Sequence, residues 1–133
     1  MSKNLILVPF FLIFLFTFLV YLPGISHSVF GGDSGDIILA AWFGGVAHPP
    51  GYPLNSMLGW VFTHLPVAGS VAYRSGLFAA FLQSLNVLVV FLIISKLTKR
   101  PLIALSASLV LAFNPLFWLY AHTLEVFQLK ILL

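Results

Sequence analysis

Long uninterrupted hydrophobic runs are the main pattern of this chain. Residues 5–22 contain no charged side chain, and a helix of that length rises about 27 Å, close to the thickness of the hydrocarbon layer of a bilayer. Residues 75–95 form a second run of this kind, and residues 101–120 form a third. The pattern therefore predicts an all-α integral membrane protein with about three transmembrane helices.

Proline and glycine mark the ends of these runs. Pro23 and Gly24 stop the first run, Pro101 suits the first position of the third helix, and Asn114-Pro115 should kink or end that helix. The alternative for the first run is a cleaved signal peptide, but the run is longer than the apolar core of such peptides and no Ala-x-Ala site follows it. We expect a retained anchor.

The segment between the first two runs, residues 23–73, is less apolar and contains no Lys or Arg. Two stretches within it, 36–47 and 54–65, are too short to cross a bilayer and contain the Trp and Phe typical of the headgroup region. We predict two short interfacial helices joined by a turn at residues 48–53. Residues 121–133 resemble the start of a further helix.

Composition supports a membrane protein and narrows the function classes. The chain is 61% hydrophobic and 7% charged, whereas soluble domains carry about 25% charged residues. Its formal charge of +3 comes from few basic residues, most of which flank hydrophobic runs, so we expect no nucleic-acid partner. Cysteine is absent, which excludes disulfides, thiolate nucleophiles and cysteine-based zinc sites.

The charged residues also predict an orientation. Lys3 and the cluster Lys96, Lys99 and Arg100 fall on one side of the predicted spans, which the positive-inside rule makes cytoplasmic. All three acidic residues then lie on the opposite, outer side: Asp33, Asp36 and Glu125. We expect a bacterial cytoplasmic membrane, or the ER membrane in a eukaryote, with the site facing outside or the lumen.

Two carboxylates directly after the first span are the strongest candidates for chemistry. Asp33 and Asp36 stand in the glycine-flanked sequence GGDSGD, and charges at a membrane surface are costly to place without a function. Helix capping is the structural alternative, with Asp33 as N-cap and Asp36 at the third helical position. A metal site is a weak third possibility, because two carboxylates lack a clear third ligand.

Other polar residues have both a functional and a structural interpretation. Three prolines stiffen the turn that presents His48 and Tyr52, either as a binding wall or as a rigid connection. Arg74 could bind a lipid phosphate, pair with an acid or reach ordinary headgroups. Glu125 either shapes the same outer site or anchors a helix end. Structural roles are expected for the remaining polar residues in apolar surroundings: His27, His64, His122, Gln83, Ser84 and Asn86.

Four motifs occur in an order and spacing that resemble one known family: GGDSGD at 31–36, AHPPGYPL at 47–54, VAYR at 71–74 and LEVFQL at 124–129. Together they resemble the membrane domain of the transmembrane protein 260-like family, also called domain of unknown function 2723. That family is similar to the GT-C superfamily of membrane glycosyltransferases, and its vertebrate member is an ER protein O-mannosyltransferase. The family often has Asn shortly after the third and fourth motifs, where this chain has Ser75-Gly76 and Lys130.

The resemblance implies a specific chemistry. GT-C enzymes have an acidic residue in the first outer loop and two short surface helices before the second span. By this resemblance, the donor is a sugar such as mannose on a polyprenyl or dolichyl phosphate, and the acceptor is a protein or glycolipid hydroxyl. Transfer is inverting, with Asp33, or else Asp36, as general base. The substrate-binding residues would be His48, Tyr52, Arg74 (near the departing phosphate) and Glu125.

The resemblance also implies that the chain, residues 1–133, is the N-terminal part of a larger GT-C-like membrane domain, since such domains contain many more helices than three. It would then lack the rest of the active site. No cofactor or metal ligand is assigned, and the role of a divalent ion stays open. The alternatives are a non-catalytic small membrane subunit or transporter element, in which the acids and Arg74 pair with each other, and a polyprenyl-phosphate-binding protein without transfer activity.

Overall fold

The computed structural model describes the backbone of residues 3–133 and the side chains from residue 10 onward. Within that part, all regular secondary structure is helical, so the prediction of an all-α fold is confirmed. A short 3-10 turn, Leu22–Gly24, follows the first helix. The seven α-helices are α1 (Lys3–Tyr21), α2 (Ser34–Phe43), α3 (Pro53–Thr63), α4 (Val71–Thr98), α5 (Pro101–Ala112), α6 (Pro115–Tyr120) and α7 (Phe127–Leu132).

The central element is α4, which packs against α1, α3, α5 and α7. Its 28 residues rise about 42 Å. The helix begins at a Ser70 cap, whose Oγ accepts a hydrogen bond from the N–H of Tyr73 at 3.1 Å, and ends at Lys99 in the left-handed conformation with φ 55°. Because α4 has neighbours on several sides, it buries polar as well as apolar residues along its length.

Two hydrophobic clusters form on different sides of α4. The first joins α4 to α1, α5 and α6, and its members from α4 are Ala80, Val87 and Phe91. The second joins α4 to α2, α3 and α7, and its members from α4 are Phe78, Ala79 and Leu82. The second cluster therefore places the two short helices of the outer loop and the last helix around the N-terminal part of α4.

The acidic and basic ends of the molecule are separated along α4. The C-terminal end of α1 and the C-terminal end of α5 meet where the Tyr21 hydroxyl donates to the carbonyl oxygen of Ala112 at 3.0 Å. Near the same level, the N–H of Ser26 bonds to the carbonyl oxygen of His122. The exposed basic turn that contains Lys99 lies at the other end of α4.

The predicted number of spans is not confirmed. Within the described part, α4 is the one helix both long and apolar enough to cross a bilayer. It includes the predicted second span, 75–95, and extends it at both ends. The first predicted span, residues 5–22, lies within α1 except for Leu22, which begins the 3-10 turn. α1 has 19 residues, and its side chains 3–9 lie outside the described part.

The third predicted span, residues 101–120, is divided at Asn114-Pro115, where the sequence predicts a kink or an end of the helix. α5 ends at Ala112 after 12 residues, and α6 begins at Pro115. Pro115 has no N–H to donate, and Asn114 caps the new helix because its Oδ1 accepts from the N–H of Leu116 at 3.1 Å. The Asn114-Pro115 pair thus ends the helix instead of kinking it, and α5 alone rises only about 18 Å.

The short helices differ from their predicted bounds. α2 covers 34–43 instead of 36–47 and ends at Gly44 in the left-handed conformation with φ 65°. α3 covers 53–63 instead of 54–65 and begins at a proline. The predicted helix over 121–133 is reduced to α7, because residues 121–126 form a non-helical segment that connects α6 to α7.

Candidate active site

Asp36 and His48 form the best-defined contact of the outer loop. Asp36 lies in the first turn of α2, and its Oδ2 accepts two hydrogen bonds from His48, from the backbone N–H at 2.8 Å and from the ring Nδ1 at 2.9 Å. These bonds, the backbone one first, hold the pKa of Asp36 below its ordinary value. Because a carboxylate only accepts, Nδ1 carries a proton and the ring is fixed in one orientation.

Asp33 lies on the other side of the same ring. Its Oδ2 is 3.6 Å from Nε2 of His48, too far for a hydrogen bond but close enough for an ionic interaction, and its side chain is 69% exposed. Asp33 is the N-cap residue of α2 and Asp36 is its third residue, as predicted, but the side chain of Asp33 makes no cap hydrogen bond and that of Asp36 is directed to His48. The two carboxylates therefore flank one imidazole.

Glu125 completes the group from a distant part of the sequence. The residue is only 8% exposed, and its Oε1 lies 4.0 Å from the position that a Cβ on Gly32 would occupy. Burial raises the pKa of Glu125, the nearby Asp33 raises it further, and His48 opposes both effects. Of the two interpretations of this residue, the structure favours the one in which it lies beside the GGDSGD motif.

The turn between α2 and α3 presents Tyr52 beside His48. The N–H of Gly51 donates to the carbonyl oxygen of His48 at 2.9 Å. Tyr52, the N-cap residue just before α3, is in the left-handed conformation with φ 40°. The rings of His48 and Tyr52 meet edge to face with centroids 5.7 Å apart. Tyr52 thus forms a wall next to the imidazole and the carboxylates.

Arg74 does not join the carboxylates. Its guanidinium carbon lies 5.6 Å from the centre of the Trp42 ring, a cation–π contact between α4 and α2. Its Nε is buried without a hydrogen-bond partner. Among the side chains from residue 10 onward it makes no ion pair with an acid, so the pairing of acids with Arg74 expected for a structural subunit is not found there.

The other three histidines pack against aromatic rings. His64 stacks between Trp42 and Trp60, with centroid distances of 4.4 and 4.5 Å. His122 meets the Tyr21 and Trp118 rings edge to face, and a further stack joins His27 to Tyr73. Over the described range, no group of three or more His, Cys, Asp or Glu side chains is arranged to hold a metal ion.

Residues 33–133 match the family model described as "Protein O-mannosyl-transferase TMEM260 N-terminal domain". The chain belongs to this family. The matched region of the TMEM260 N-terminal domain begins at Asp33 and includes Asp36, His48, Arg74 and Glu125. The family expected from the four sequence motifs is therefore confirmed.

Two curated relatives carry the TMEM260 name. Protein O-mannosyl-transferase tmem260 of Dictyostelium discoideum is 32% identical over 121 residues, which is 90% of this chain and 15% of that protein. Protein O-mannosyl-transferase TMEM260 of Mus musculus is 36% identical over 111 residues, 84% of this chain and 16% of that protein. The chain thus spans less than a fifth of the length of these relatives. No solved structure matches it.

Two residues that support site residues of this TMEM260 N-terminal domain were not identified from the sequence, Trp42 and Gln128. Trp42 supports Arg74, and only the fold brings the two together. Gln128 is fully buried and bonds to the N–H of Glu125 at 3.2 Å. A signal for Gln128 existed, because a glutamine within the apolar LEVFQL motif needs buried partners, but the sequence does not identify them.

Proposed function

We propose that this chain is the N-terminal part of a membrane glycosyltransferase. The enzyme transfers a sugar, mannose in the first instance, from a polyprenyl or dolichyl phosphate to a hydroxyl of a protein or glycolipid on the outer face of the membrane. The observation that carries the proposal is the convergence of Asp33, Asp36, His48 and Glu125 at one end of α4, in a chain whose relatives are named O-mannosyl-transferases.

Asp33 is the preferred general base. A base must be able to reach the acceptor hydroxyl and take its proton. The Asp33 carboxylate is the more exposed of the two aspartates, at 69% against 50%, and its contact with His48, at 3.6 Å, is too long for a hydrogen bond. Asp36 accepts two hydrogen bonds and has a lowered pKa, which makes it a weaker base and suits it to orienting His48.

The proposed step is an in-line displacement at the sugar. The acceptor oxygen attacks the anomeric carbon while Asp33 takes the hydroxyl proton, and the bond from that carbon to the phosphate oxygen breaks. The phosphate leaves with the bonding electron pair, so the configuration at the anomeric carbon inverts. The carboxylate is needed because a neutral hydroxyl is a weak nucleophile until its proton is removed.

Arg74 is the proposed partner of the donor phosphate. The departing phosphate gains negative charge, and a cation placed at that point stabilises the transition state. Arg74 makes no ion pair among the described side chains, and its guanidinium is supported on the Trp42 ring. Its charge is therefore free of an internal counter-ion. Tyr52, next to His48, would line the sugar or acceptor side of the site.

The proposal also fixes an orientation and a location. With the exposed basic turn, which contains Lys99, in the cytosol, the carboxylates face the cell exterior, or the lumen in a eukaryote. The membrane is then the bacterial cytoplasmic membrane, or the ER membrane in a eukaryote. The remaining helices of a GT-C-like domain would contribute the rest of the donor and acceptor contacts.

The test is sugar transfer by the full-length protein that carries this sequence. Asp33→Asn keeps the shape of the side chain and removes the base, so we expect kcat for transfer from mannosyl-phosphoryl-polyprenol to fall by about 10²–10⁴-fold. Asp36→Asn should have a smaller effect, because it leaves the base in place and loosens His48. The products are measured as transferred sugar, and their anomeric configuration reports inversion.

Ser28→Ala is the matched control, since Ser28 lies in the same outer loop and its side chain contacts only Ser26. It should transfer sugar at the rate of the unsubstituted protein. Unchanged kcat in both aspartate variants, with folded protein in the membrane, would remove the proposed base and with it the enzyme mechanism.

A further inference from the structure

The segment between α6 and α7 is buried although it is not helical. Residues 121–125 are all buried, and Glu125 is the acidic residue among them. Backbone groups outside a helix must find other hydrogen-bond partners when water is excluded. Backbone groups of Trp118, Leu119 and Ser26 bond to Ala121 and His122. The partners of Thr123 and Glu125, nearer the carboxylates, come from one side chain, that of Gln128, which is 0% exposed.

Gln128 uses both ends of its amide on this segment. Its Oε1 accepts a hydrogen bond from the N–H of Glu125 at 3.2 Å. Its Nε2 donates to the carbonyl oxygen of Tyr120 at 2.6 Å and to that of Thr123 at 2.8 Å. The amide thus bridges three successive points of the chain that leads into Glu125.

Asn86 ties this arrangement to α4. Its Nδ2 donates to the backbone oxygen of Gln128 at 2.9 Å and to Oε1 of Gln83 at 3.2 Å. Gln83 in turn donates from Nε2 to the carbonyl oxygen of Phe117 in α6 at 3.0 Å. The side chains of Gln83, Asn86 and Gln128 are all buried, so their hydrogen bonds do not compete with water.

The network of Gln83, Asn86 and Gln128 ends at Glu125, which lies beside the GGDSGD motif. The Glu125 carboxyl is adjacent to Gly32, one residue before Asp33. The titratable groups that face it are Asp33 and His48. Gly32, with φ 81°, lacks the side chain that would fill the space in front of Glu125.

We propose that Gln128 is a positioning residue, which sets the place of the Glu125 carboxyl relative to Asp33 and His48 through its three hydrogen bonds to residues 120–125. Asn86 holds Gln128 against α4. The relevance to sugar transfer rests on the proposed function, whereas the positioning itself does not. Gln83 belongs to the same network but bonds to Phe117 of α6 and to Asn86, so it serves as a matched residue without a hydrogen bond to the Glu125 segment.

Glu125 is the single glutamate of the sequence, which gives a direct probe. In the 133-residue chain in detergent micelles, selective ¹³Cδ labelling of glutamate reports the titration of Glu125 without competing signals. The midpoint in the unsubstituted chain should lie above the ordinary value of 4.5, because the carboxyl is buried. Gln128→Met, which keeps the side-chain length but cannot bond, should move the midpoint back toward 4.5.

Gln83→Met is the control. Its Glu125 titration midpoint should lie within about 0.2 pH units of that of the unsubstituted chain, because Gln83 makes no hydrogen bond to the Glu125 segment. A folded Gln128→Met chain whose midpoint stays unchanged would overturn the proposal. So would equal shifts in the Gln128 and Gln83 variants, because they would indicate general loosening.

A second measurement needs no substitution. The N–H of Glu125 is bonded to Gln128 and buried, so in the unsubstituted chain it should exchange with solvent as slowly as the amides of α4. Fast exchange at this position would also overturn the proposal, even where Gln128→Met does not fold.

The functional consequence has its own readout. In the full-length protein, Gln128→Met should lower kcat for sugar transfer when Glu125 is present and have no further effect on kcat in a Glu125→Gln background. Independent, additive losses would show that Gln128 acts only on stability. If Asp33→Asn transfers sugar normally, the proposed function fails, and the titration of Glu125 still decides the role of Gln128.

Discussion

The candidate site has an exposed half and a buried half that are built in different ways. Asp33, Asp36 and His48 are within 15 residues of one another in sequence and are held by short contacts across the turn between α2 and α3. Glu125 comes from the other end of the chain and is surrounded by buried groups. One half is fixed by local backbone geometry and the other by packing against α4.

The difference has an electrostatic consequence. Hydrogen bonds from His48 favour the ionised form of Asp36, whereas burial favours the neutral form of Glu125. Two carboxyl groups whose environments push their pKa values in opposite directions are typical of sites that combine a proton acceptor with a proton-holding group. The comparison of the two halves can be tested by disturbing each one separately.

The largest effect is expected where the buried half packs against α4. A Cβ at Gly76 would overlap Cγ2 of Ile25 and would lie 3.2 Å from the carbonyl oxygen of His122. Gly76→Ala should therefore lower the free energy of unfolding by about 2–3 kcal/mol, because the close packing leaves no room for a methyl group. Chemical denaturation in detergent micelles measures this loss.

Gly45→Ala is the matched control, since no atom lies within 4 Å of a Cβ at that position in the exposed half. Its free energy of unfolding should stay within about 0.5 kcal/mol of the unsubstituted chain. Equal stability of the two alanine variants would contradict the tight contact between α4 and the segment that carries His122.

A smaller loss is expected from the buried amide network. Asn86→Leu removes the hydrogen bonds to Gln83 and Gln128 and should cost about 1–2 kcal/mol of unfolding free energy. Ser106→Ala is the control, because Ser106 is exposed and bonds only to Leu102 of its own helix. Should both substitutions change the denaturation midpoint equally, the network would have no special part in holding the buried half.

The smallest expected effects are on the pH dependence of stability, which should differ between the buried half and the exposed half. The folded-state pKa of Glu125 is raised, so its contribution to stability is full below about pH 4.5 and is lost as the pH rises through the folded value. Glu125→Gln stays neutral and should be more stable than the unsubstituted chain at pH 7 but not at pH 4. Denaturation midpoints from pH 3 to 7 measure the difference.

Asp36 should behave in the opposite way. Its folded-state pKa is lowered, so its contribution is present above pH 3.8 and is lost as the pH falls through the folded value. Asp36→Asn lacks this contribution above pH 3.8, so its stability should fall less on acidification, and the effect should be small because the group is exposed. The same midpoint series serves as the measurement, and parallel curves for the two variants would show that the halves do not differ electrostatically.

The exposed half was largely predictable from the sequence. The motif GGDSGD and the stiff turn at 48–53 identify Asp33, Asp36 and His48, because neighbours in sequence are held together by short-range geometry. Their different contacts were not predictable, since only the fold shows that Asp36 hydrogen-bonds to His48 while Asp33 lies 3.6 Å from the other side of the same ring. The positions of both aspartates at the start of α2 were predicted correctly, but the capping hydrogen bonds are absent.

The buried half and the span count depended on long-range packing. Residues 101–120 have the hydrophobicity of one helix. The Asn114-Pro115 pair predicts a kink or an end, but the sequence does not decide between them, and the structure shows an end at which Asn114 caps a new helix. Residues 121–133 have the apolar pattern of a helix, but the amide of Gln128 stabilises a non-helical path that places Glu125 beside Gly32. Such competition between local preference and tertiary hydrogen bonds is not visible in a single sequence.

The length of α4 has a consequence for the lipid surroundings. Arg74 and Lys96 stand 22 positions apart on this helix, a rise of about 33 Å that nearly equals an average hydrocarbon layer of about 30 Å. Each charge would reach phosphates of its own leaflet with the helix almost upright. A thinner bilayer would force α4 to tilt. Because α2, which begins at the aspartates, packs against the N-terminal part of α4, the tilt would shift the carboxylates relative to the headgroups. The proposed sugar transfer would then depend on the acyl-chain length of the membrane.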